Sequence, residues 1–122
     1  MLRERSPASP ALAEATLPAP AAGAASSIDI SVVLPVYNEA ESLELLHAAL
    51  ADVLGEHGCS YEILFIDDGS RDRSFDVLTA IQARDPHVRV VRLRRNFGQT
   101  AALAAAFRSA RGRLVIPMAA DL

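Results

Sequence analysis

Short runs rich in Val, Ile and Leu alternate with segments of helical periodicity after residue 27, and this alternation constrains the fold more than any other feature. The runs predict strands over residues 28–36, 61–67, 88–93 and 113–118. Runs this apolar are typical of strands covered on both faces. Strands that alternate with helices form successive right-handed βαβ units. The sequence therefore predicts an α/β domain over residues 28–122, built on a parallel sheet with flanking helices.

The first predicted helix follows the first strand and carries both a start and a stop signal. Asn38 and Glu41 have the spacing of a reciprocal capping box, and Gly55 is the predicted end of the helix. Its predicted inward face consists of Leu43, Leu46, Leu50 and Val53.

Two more helices are predicted between the later strands. One spans about residues 73–83 after a cap at Asp72, and the other spans residues 99–111 and ends at Gly112. The alanine-dense composition of the last helix favours close packing on the sheet.

The first 27 residues differ from the rest in composition. The chain is 51% hydrophobic, but in residues 1–27 this fraction is mostly alanine broken by repeated proline. We interpret this segment as a disordered tail. The same prolines interrupt every candidate signal peptide, and no run reaches the about 18 to 20 apolar residues of a membrane helix. A lone Cys59 fits a reducing compartment, so a cytoplasmic location is expected.

Charge gives little indication of a macromolecular partner. The formal net charge of −3 provides no general reason to expect nucleic acid. A local basic cluster, residues 89–95, has two interpretations: solvated arginines at a strand edge, or contacts to a phosphate or lipid headgroup. His47 and His57 have no obvious acidic or Cys partner in the sequence and His87 lies beside Pro86, so all three are predicted to be solvated.

Polar residues follow each predicted strand. They are Tyr37, Asn38 and Glu39 after the first, Asp67, Asp68, Gly69 and Ser70 after the second, Arg94, Arg95, Asn96 and Gly98 after the third, and Asp121 after the fourth. In parallel α/β sheets, ligands bind where the carboxyl ends of the strands meet. The sequence therefore predicts one shared site that contains the two adjacent acids.

The chemistry of this site is constrained by the motifs it lacks. No glycine-rich phosphate loop follows the first strand. A carboxylate-lined cleft would bind a phosphate through Mg2+ or Mn2+, with Asp121 and one of Asp67 or Asp68 as oxygen ligands. Tyr37 offers a flat face to a base. Each residue also has a structural interpretation, with Asn38 and Glu41 as caps and residues 68–70 as a turn.

Four stretches in order resemble one known family. "VVLPVYNEAESL", "YEILFIDDGSRDRS", "RLRRNFGQTAALAAAF" and "MAADL" are similar to the start of a family 2 glycosyltransferase with the Rossmann-like GT-A nucleotide-diphospho-sugar fold. The stretch "RNFGQTAAL" resembles the branch of dolichol-phosphate mannosyltransferase and the bacterial polyprenyl-phosphate sugar transferases. The resemblance covers about residues 30–122, the N-terminal half of such a domain.

The resemblance implies roles for individual residues. Its nucleotide-sugar-binding residues correspond here to Pro35, Tyr37, Glu39, Asp67, Asp68 and Asp121. The acidic pair contacts the base, and Asp121, the last acid of the D-x-D motif, binds ribose, pyrophosphate and Mg2+ or Mn2+. Ala119 replaces the first acid of that motif, which weakens or alters the metal site. Arg94 and Arg95 are candidates for holding a phosphate.

The implied function is transfer of a sugar from a UDP- or GDP-linked donor to a polyprenyl phosphate. The resemblance places the catalytic residues and the membrane-associated regions after Leu122, at the cytoplasmic face of the membrane, so this chain alone is expected to be inactive. No nucleic-acid partner is expected, and a homo-oligomer is left open. The alternative is a non-catalytic nucleotide-sugar binding module or an inactive fragment.

Overall fold

Four strands and three helices alternate along the computed structural model, which describes residues 28–120. They are β1 (Ile30–Val36), α1 (Ala40–His57), β2 (Tyr61–Asp67), α2 (Ser74–Arg84), β3 (Val88–Arg92), α3 (Gln99–Ser109) and β4 (Leu114–Pro117). The predicted tail at residues 1–27 and the predicted ligand Asp121 lie outside the described residues. The alternation confirms the predicted α/β class.

The strands form one parallel sheet in the order β3-β2-β1-β4. β1 pairs with β2 in a register that sets Ile30 opposite Tyr61, and with β4 in a register that sets Ile30 opposite Leu114. The two central strands are nearly continuous apolar runs because helices cover both faces of the sheet. Parallel pairing brings the carboxyl ends of β1, β2 and β3 to one edge.

Alternate residues along β1, β2 and β3 enter two separate cores. Phe65 of β2 packs with Leu43 of α1 and Ile81 of α2 on one face of the sheet. Ile66 faces the opposite way and packs against Ala102 of α3. The small side chains of α3 let this helix lie close to the sheet, as its composition predicts.

None of the helices in residues 28–120 is long and apolar enough to cross a membrane.

The predicted ends of α1 are wrong. Glu39 is the N-cap residue and has no side-chain cap hydrogen bond, while Asn38 has a left-handed φ of 54° that an N-cap residue does not adopt. The helix continues through Gly55 to Gly58, whose φ of 74° supplies the left-handed turn that ends it. The inward face continues four residues after Leu50 rather than three, so Leu54 is buried and Val53 is 53% exposed.

The other two helices differ from their predicted bounds by smaller shifts. α2 begins at Ser74 with Arg73 as its N-cap residue, one position after the predicted cap Asp72. The Asp72 Oδ1 nevertheless accepts a hydrogen bond from the Ser74 N–H at 2.9 Å, which satisfies a donor of the first turn. α3 ends at Ser109 because the backbone turns to an extended conformation at Ala110, before the predicted stop at Gly112.

Arg89 is buried, which contradicts its interpretation as a solvated arginine. Its Nη1 donates to Glu62 Oε1 at 2.6 Å and to the carbonyl oxygen of Ser109 at 3.1 Å. The other oxygen of Glu62 accepts from Ser31 Oγ and from the Arg111 N–H. Although burial acts to raise it, these hydrogen bonds and the Arg89 charge hold the pKa of Glu62 below its usual range. This network joins three strands at the edge opposite the predicted site.

His47 is also partly buried rather than solvated. Its side chain is 12% exposed, and its Nε2 lies 2.7 Å from Asp85 Oδ2, so the pair connects α1 to the end of α2. His87 Nδ1 lies 3.0 Å from the other Asp85 oxygen. The His87 ring stacks on the Tyr61 ring, with ring centroids 4.0 Å apart. The acidic partner of His47 lies 38 residues away in sequence, which is why spacing did not indicate it, whereas the partner of His87 is only two residues away.

We expect Asp85→Asn to lower the free energy of unfolding at neutral pH and to change it little in acid. Burial acts to raise the pKa of Asp85, but hydrogen bonds from His47 and His87 hold it below its usual range. A lowered pKa contributes stability above the unfolded value of about 3.9, and that stability is lost as the pH falls through the folded value. Urea unfolding between pH 7 and pH 3 measures the difference between wild type and variant.

Asp76→Asn is the control, because Asp76 is 68% exposed and contacts only Arg73, at 4.0 Å. A difference between wild type and Asp85→Asn that stays constant across the range would show that the Asp85 charge does not stabilise the fold.

Candidate functional site

An open cleft of about 430 Å³ lies at the carboxyl edge of the sheet, where the loops after β1, β2 and β3 meet. Its lining residues are Pro35, Val36, Tyr37, Glu39, Asp68, Asn96, Gly98, Gln99, Ala119 and Ala120. The site therefore lies at the edge that the polar clusters predict. Four of the predicted site residues meet here: Pro35, Tyr37, Glu39 and Asp68.

The end of β1 supplies one wall of the cleft. Pro35 and Val36 belong to the strand itself, and Tyr37 and Glu39 follow in the loop after β1, which we define as residues 37–39. The Tyr37 ring is exposed, with 41% of its surface accessible. An exposed aromatic ring beside carboxylates is suited to a base that stacks and donates hydrogen bonds.

Asp68 lines the cleft and also fixes the loop after β3, which we define as residues 93–98. Its Oδ1 accepts from the Phe97 N–H at 2.8 Å, and its Oδ2 accepts from the Gly98 N–H at 3.0 Å and from Asn96 Nδ2 at 3.1 Å. Burial raises the pKa of Asp68, and the two backbone hydrogen bonds partly offset this rise. Asp68, which the sequence predicts as a ligand, therefore also supports the wall of the cleft that the loop after β3 forms.

Asp67 is fully buried and does not line the cleft. Its Oδ1 accepts from the Ser70 N–H at 3.2 Å, which turns the loop after β2, defined as residues 68–73. Its Oδ2 has no hydrogen-bond partner within residues 28–120. Burial raises the pKa of Asp67, against the hydrogen bonds from Ser70 that act to lower it. The two adjacent acids thus have different positions, one in the wall of the cleft and one behind it.

Arg94 and Arg95 lie in the loop after β3 and are exposed, but they do not line the cleft. The Arg95 guanidinium carbon lies 4.2 Å from the centroid of the Phe97 ring, a cation–π contact that orients it. Both arginines are neighbours in sequence of Asn96 and Gly98, which line the cleft. The arginines therefore lie beside the site rather than in it.

Several lining residues were not among the predicted site residues. Asn96, Gly98 and Gln99 form the wall after β3, and Ala119 and Ala120 form the wall after β4. Asn96 and Gly98 had a signal, because they follow a predicted strand. The alanines had none, since a small apolar side chain carries no chemical signature. Ala119 occupies the place where the resemblance expects the first acid of the metal-binding motif.

Residues 28–120 do not by themselves fit a metal. No group of three or more His, Cys, Asp or Glu side chains in this range is arranged to hold an ion. Glu39 and Asp68 are the carboxylates that line the cleft, and both Asp68 oxygens already accept hydrogen bonds. Hard cations such as Mg2+ require several oxygen ligands, so the described donors are too few.

The sequence of this chain matches one protein-family model. The family model described as glycosyl transferase family 2 matches residues 31–122, which include all four strands and the cleft. The chain belongs to this family. Relatives of this family 2 chain include an undecaprenyl-phosphate 4-deoxy-4-formamido-L-arabinose transferase of Pseudomonas aeruginosa, 53% identical over 95 residues, and one of Shewanella sediminis, 48% identical over 97 residues.

An uncharacterised glycosyltransferase of Synechocystis is 41% identical over 96 residues. The alignments cover 79% of the family 2 chain and 30% of the Synechocystis protein, and 76% of the chain and 28% of each of the other two. The chain therefore spans less than a third of the length of these relatives.

A solved structure supports the fold assignment. The mannosyltransferase PcManGT of Pyrobaculum calidifontis, in complex with GDP-Man and Mn2+, superposes with a TM-score of 0.63 at 26% sequence identity. The match covers 75% of the family 2 chain and 27% of the mannosyltransferase. The sheet and its helices are therefore those of the GT-A fold, as the resemblance implies.

Proposed function

We propose that this chain carries the donor-binding part of a glycosyltransferase that moves a sugar from a nucleotide-diphospho-sugar to a polyprenyl phosphate. The observation that carries the proposal is the match of the family 2 model to a chain whose cleft is lined by Pro35, Tyr37 and Glu39. The undecaprenyl-phosphate transferases among its relatives favour the lipid acceptor. By the same reasoning we propose that the whole protein acts at the cytoplasmic face of the membrane.

In the proposed reaction, an oxygen of the lipid phosphate attacks the anomeric carbon of the sugar. The new carbon–oxygen bond forms as the bond to the nucleoside diphosphate breaks, and the leaving group takes the electron pair. Tyr37 would stack on the base, while Glu39 and Asp68 would accept hydrogen bonds from the base or the ribose. Asp67, which is buried behind the cleft, would fix the conformation of the loop after β2. Positioning of this kind accounts for a large share of enzymatic rate enhancement.

Mg2+ or Mn2+ is proposed as the cofactor of the whole protein. A bound divalent cation would stabilise negative charge on the leaving diphosphate. Asp121 is the proposed ligand in this chain, and the PcManGT complex with GDP-Man and Mn2+ supports a metal in the fold. Because the donors of residues 28–120 do not complete a metal site, we assign no step of the reaction to the ion.

Arg94 and Arg95 are proposed to contact a phosphate. Both are exposed beside the cleft, and the guanidinium fork matches phosphate oxygens in two-point contacts. Titration of polyprenyl phosphate into Arg94→Ala and Arg95→Ala tests this contact, and an affinity equal to that of wild type in both variants would exclude it.

We expect Tyr37→Ala to weaken the binding of UDP or GDP by roughly tenfold. Stacking of a base on an aromatic ring contributes about 1–3 kcal/mol, which corresponds to roughly fivefold to 100-fold in affinity. Isothermal titration calorimetry of the purified chain measures the change, with and without Mn2+. Phe107→Ala is the matched control, because Phe107 is 49% exposed on α3 and does not line the cleft. Equal weakening in both variants would place the nucleotide elsewhere.

A non-catalytic nucleotide-sugar binding module is the second candidate, and Ala119 in the wall of the cleft favours it. Transfer assays of the whole protein with labelled UDP- or GDP-sugars and undecaprenyl phosphate separate the two candidates. Nucleotide binding without transfer would support the module, and transfer would support the enzyme.

A further inference from the structure

The loop after β1 is held by side chains of the loop after β2 and the first residue of α2. The backbone N–H groups of Asn38 and Glu39 donate to Ser70 Oγ and Ser74 Oγ, each at 2.9 Å. The next N–H group, of Ala40, donates to Asp72 Oδ2 at 3.2 Å. The first N–H groups of a helix are usually capped by nearby residues of the same chain segment. Here the cap of α1 comes from a loop more than 30 residues away in sequence.

The attachment also runs in the opposite direction. Asn38 Oδ1 accepts from the Arg71 N–H at 2.8 Å and from the Asp72 N–H at 3.3 Å. To reach them, Asn38 adopts its left-handed φ of 54°, a conformation that costs most residues energy but that asparagine tolerates. Each loop therefore satisfies backbone N–H groups of the other.

Asp72 is the centre of this arrangement because it serves two helices. One oxygen accepts from Ser74 at the start of α2 and the other accepts from Ala40 at the start of α1. Burial acts to raise the pKa of Asp72, but these hydrogen bonds hold it below its usual range, so the carboxylate is ionised at neutral pH. Negative charge at a helix N-terminus is favourable, and here one charge acts on two termini.

The loop after β2 is itself anchored from beneath. The buried Asp67 accepts from the Ser70 N–H, and Ser70 Oγ accepts from Asn38. A continuous series of hydrogen bonds thus runs from the buried end of β2 to the residue that lies between Tyr37 and Glu39.

We propose that Asp72 and Asn38 are positioning residues that hold Tyr37 and Glu39 in the cleft without lining it themselves. Nucleotide affinity then depends on two residues, Asp72 and Asn38, that do not line the cleft. This inference rests on the proposed function for its ligand, but the restraint on Tyr37 is a property of the ligand-free chain.

The test uses the composition of the chain, which has two tyrosines and no tryptophan. In a Tyr61→Phe background, Tyr37 is the remaining fluorescent side chain of this kind, and the phenyl ring keeps the stack on His87. Asp72→Asn retains the shape of the side chain but leaves one carbonyl oxygen to serve two helix ends. We expect faster local motion of Tyr37 in time-resolved fluorescence anisotropy, and affinity for UDP or GDP lowered about fivefold, as for a lost cap.

Two further variants make the result decisive. Asp76→Asn removes the same charge from an exposed position of α2 and is expected to change neither readout. Ser70→Ala removes a single acceptor, that of the Asn38 N–H, and decides the matter if Asp72→Asn does not fold by circular dichroism.

Unchanged Tyr37 motion in folded Asp72→Asn or Ser70→Ala would overturn the proposal, as would increased motion with unchanged nucleotide affinity. If wild type binds neither UDP nor GDP while the variants release Tyr37, the restraint stands and the proposed function fails.

Discussion

Arg89→Met is expected to remove about 3–5 kcal/mol from the free energy of unfolding, the range for breaking a buried ion pair from one side. The side chains of Arg89 and Glu62 are 10% and 3% exposed, and their charged atoms lie 2.6 Å apart. Methionine keeps much of the volume but leaves the Glu62 carboxylate with a buried, uncompensated charge. Urea unfolding at neutral pH, followed by circular dichroism, measures the loss.

Arg84→Met is the matched control. Arg84 pairs with Glu44 across α1 and α2, but both side chains are about half exposed, so the pair contributes about 0–1 kcal/mol. Adding Glu62→Leu to Arg89→Met should restore part of the stability, because no charge then remains buried. The recovery is partial, since Ser31 and the Arg111 N–H also lose their acceptor. Equal costs for Arg89→Met and Arg84→Met would refute the role assigned to the buried pair.

Gly69→Ala is the second substitution with a large expected effect. A Cβ at Gly69 would overlap the carbonyl carbon of Arg95 and the nitrogen of Asn96 and would lie 2.8 Å from the Arg95 Cα. These are backbone atoms that cannot rotate away, so the loops after β2 and β3 must separate. The residue also has a φ of 73°, which costs a non-glycine residue about 1–2 kcal/mol. We expect a total loss of several kcal/mol, together with lost nucleotide binding.

Gly58→Ala separates the two causes. Gly58 has nearly the same φ, 74°, but a Cβ there has no atom within 4 Å. This control therefore carries the conformational cost alone, about 1 kcal/mol at the end of a helix. The additional loss in Gly69→Ala measures how closely the two loops pack. If both variants lose equal stability, as measured by urea unfolding, the close approach at Gly69 does not constrain the fold.

The order of the elements was predictable because it depends on local periodicity. The four β-rich runs match β1 to β4 within two residues at each end, and the polar residues that follow the first three lie at one edge. Leu43, Leu46 and Leu50 are buried as their spacing predicts. The predictions that fail involve partners far away in sequence. His47 hydrogen-bonds to Asp85, and Arg89 pairs with Glu62. Asn38 exchanges hydrogen bonds with the loop after β2 instead of capping α1.

The candidate site could be predicted from the sequence to about the same extent as the fold. A tyrosine and acids at strand ends indicated the edge of the sheet at which the cleft lies, but adjacency in sequence could not distinguish Asp67 from Asp68. Successive residues of a strand point to opposite faces, so the first acid turns into the core while the second follows the strand into the cleft. The nucleotide and the acceptor that we propose come from the family resemblance and the relatives, because no single residue specifies them.

The strand order also constrains how the chain can fold during synthesis. β1 leaves the ribosome first but lies inside the sheet, between β2 and β4. Its hydrogen bonds to β2 can form early, whereas Ile30 meets Leu114 only after the last described strand has been made. Until then one side of β1 is an unpaired edge, and such edges bind other chains. Contacts between distant segments form slowly. Completion of the described sheet should therefore be limited by the arrival of β4, and chaperones that cover apolar edges should improve the yield of the protein during translation.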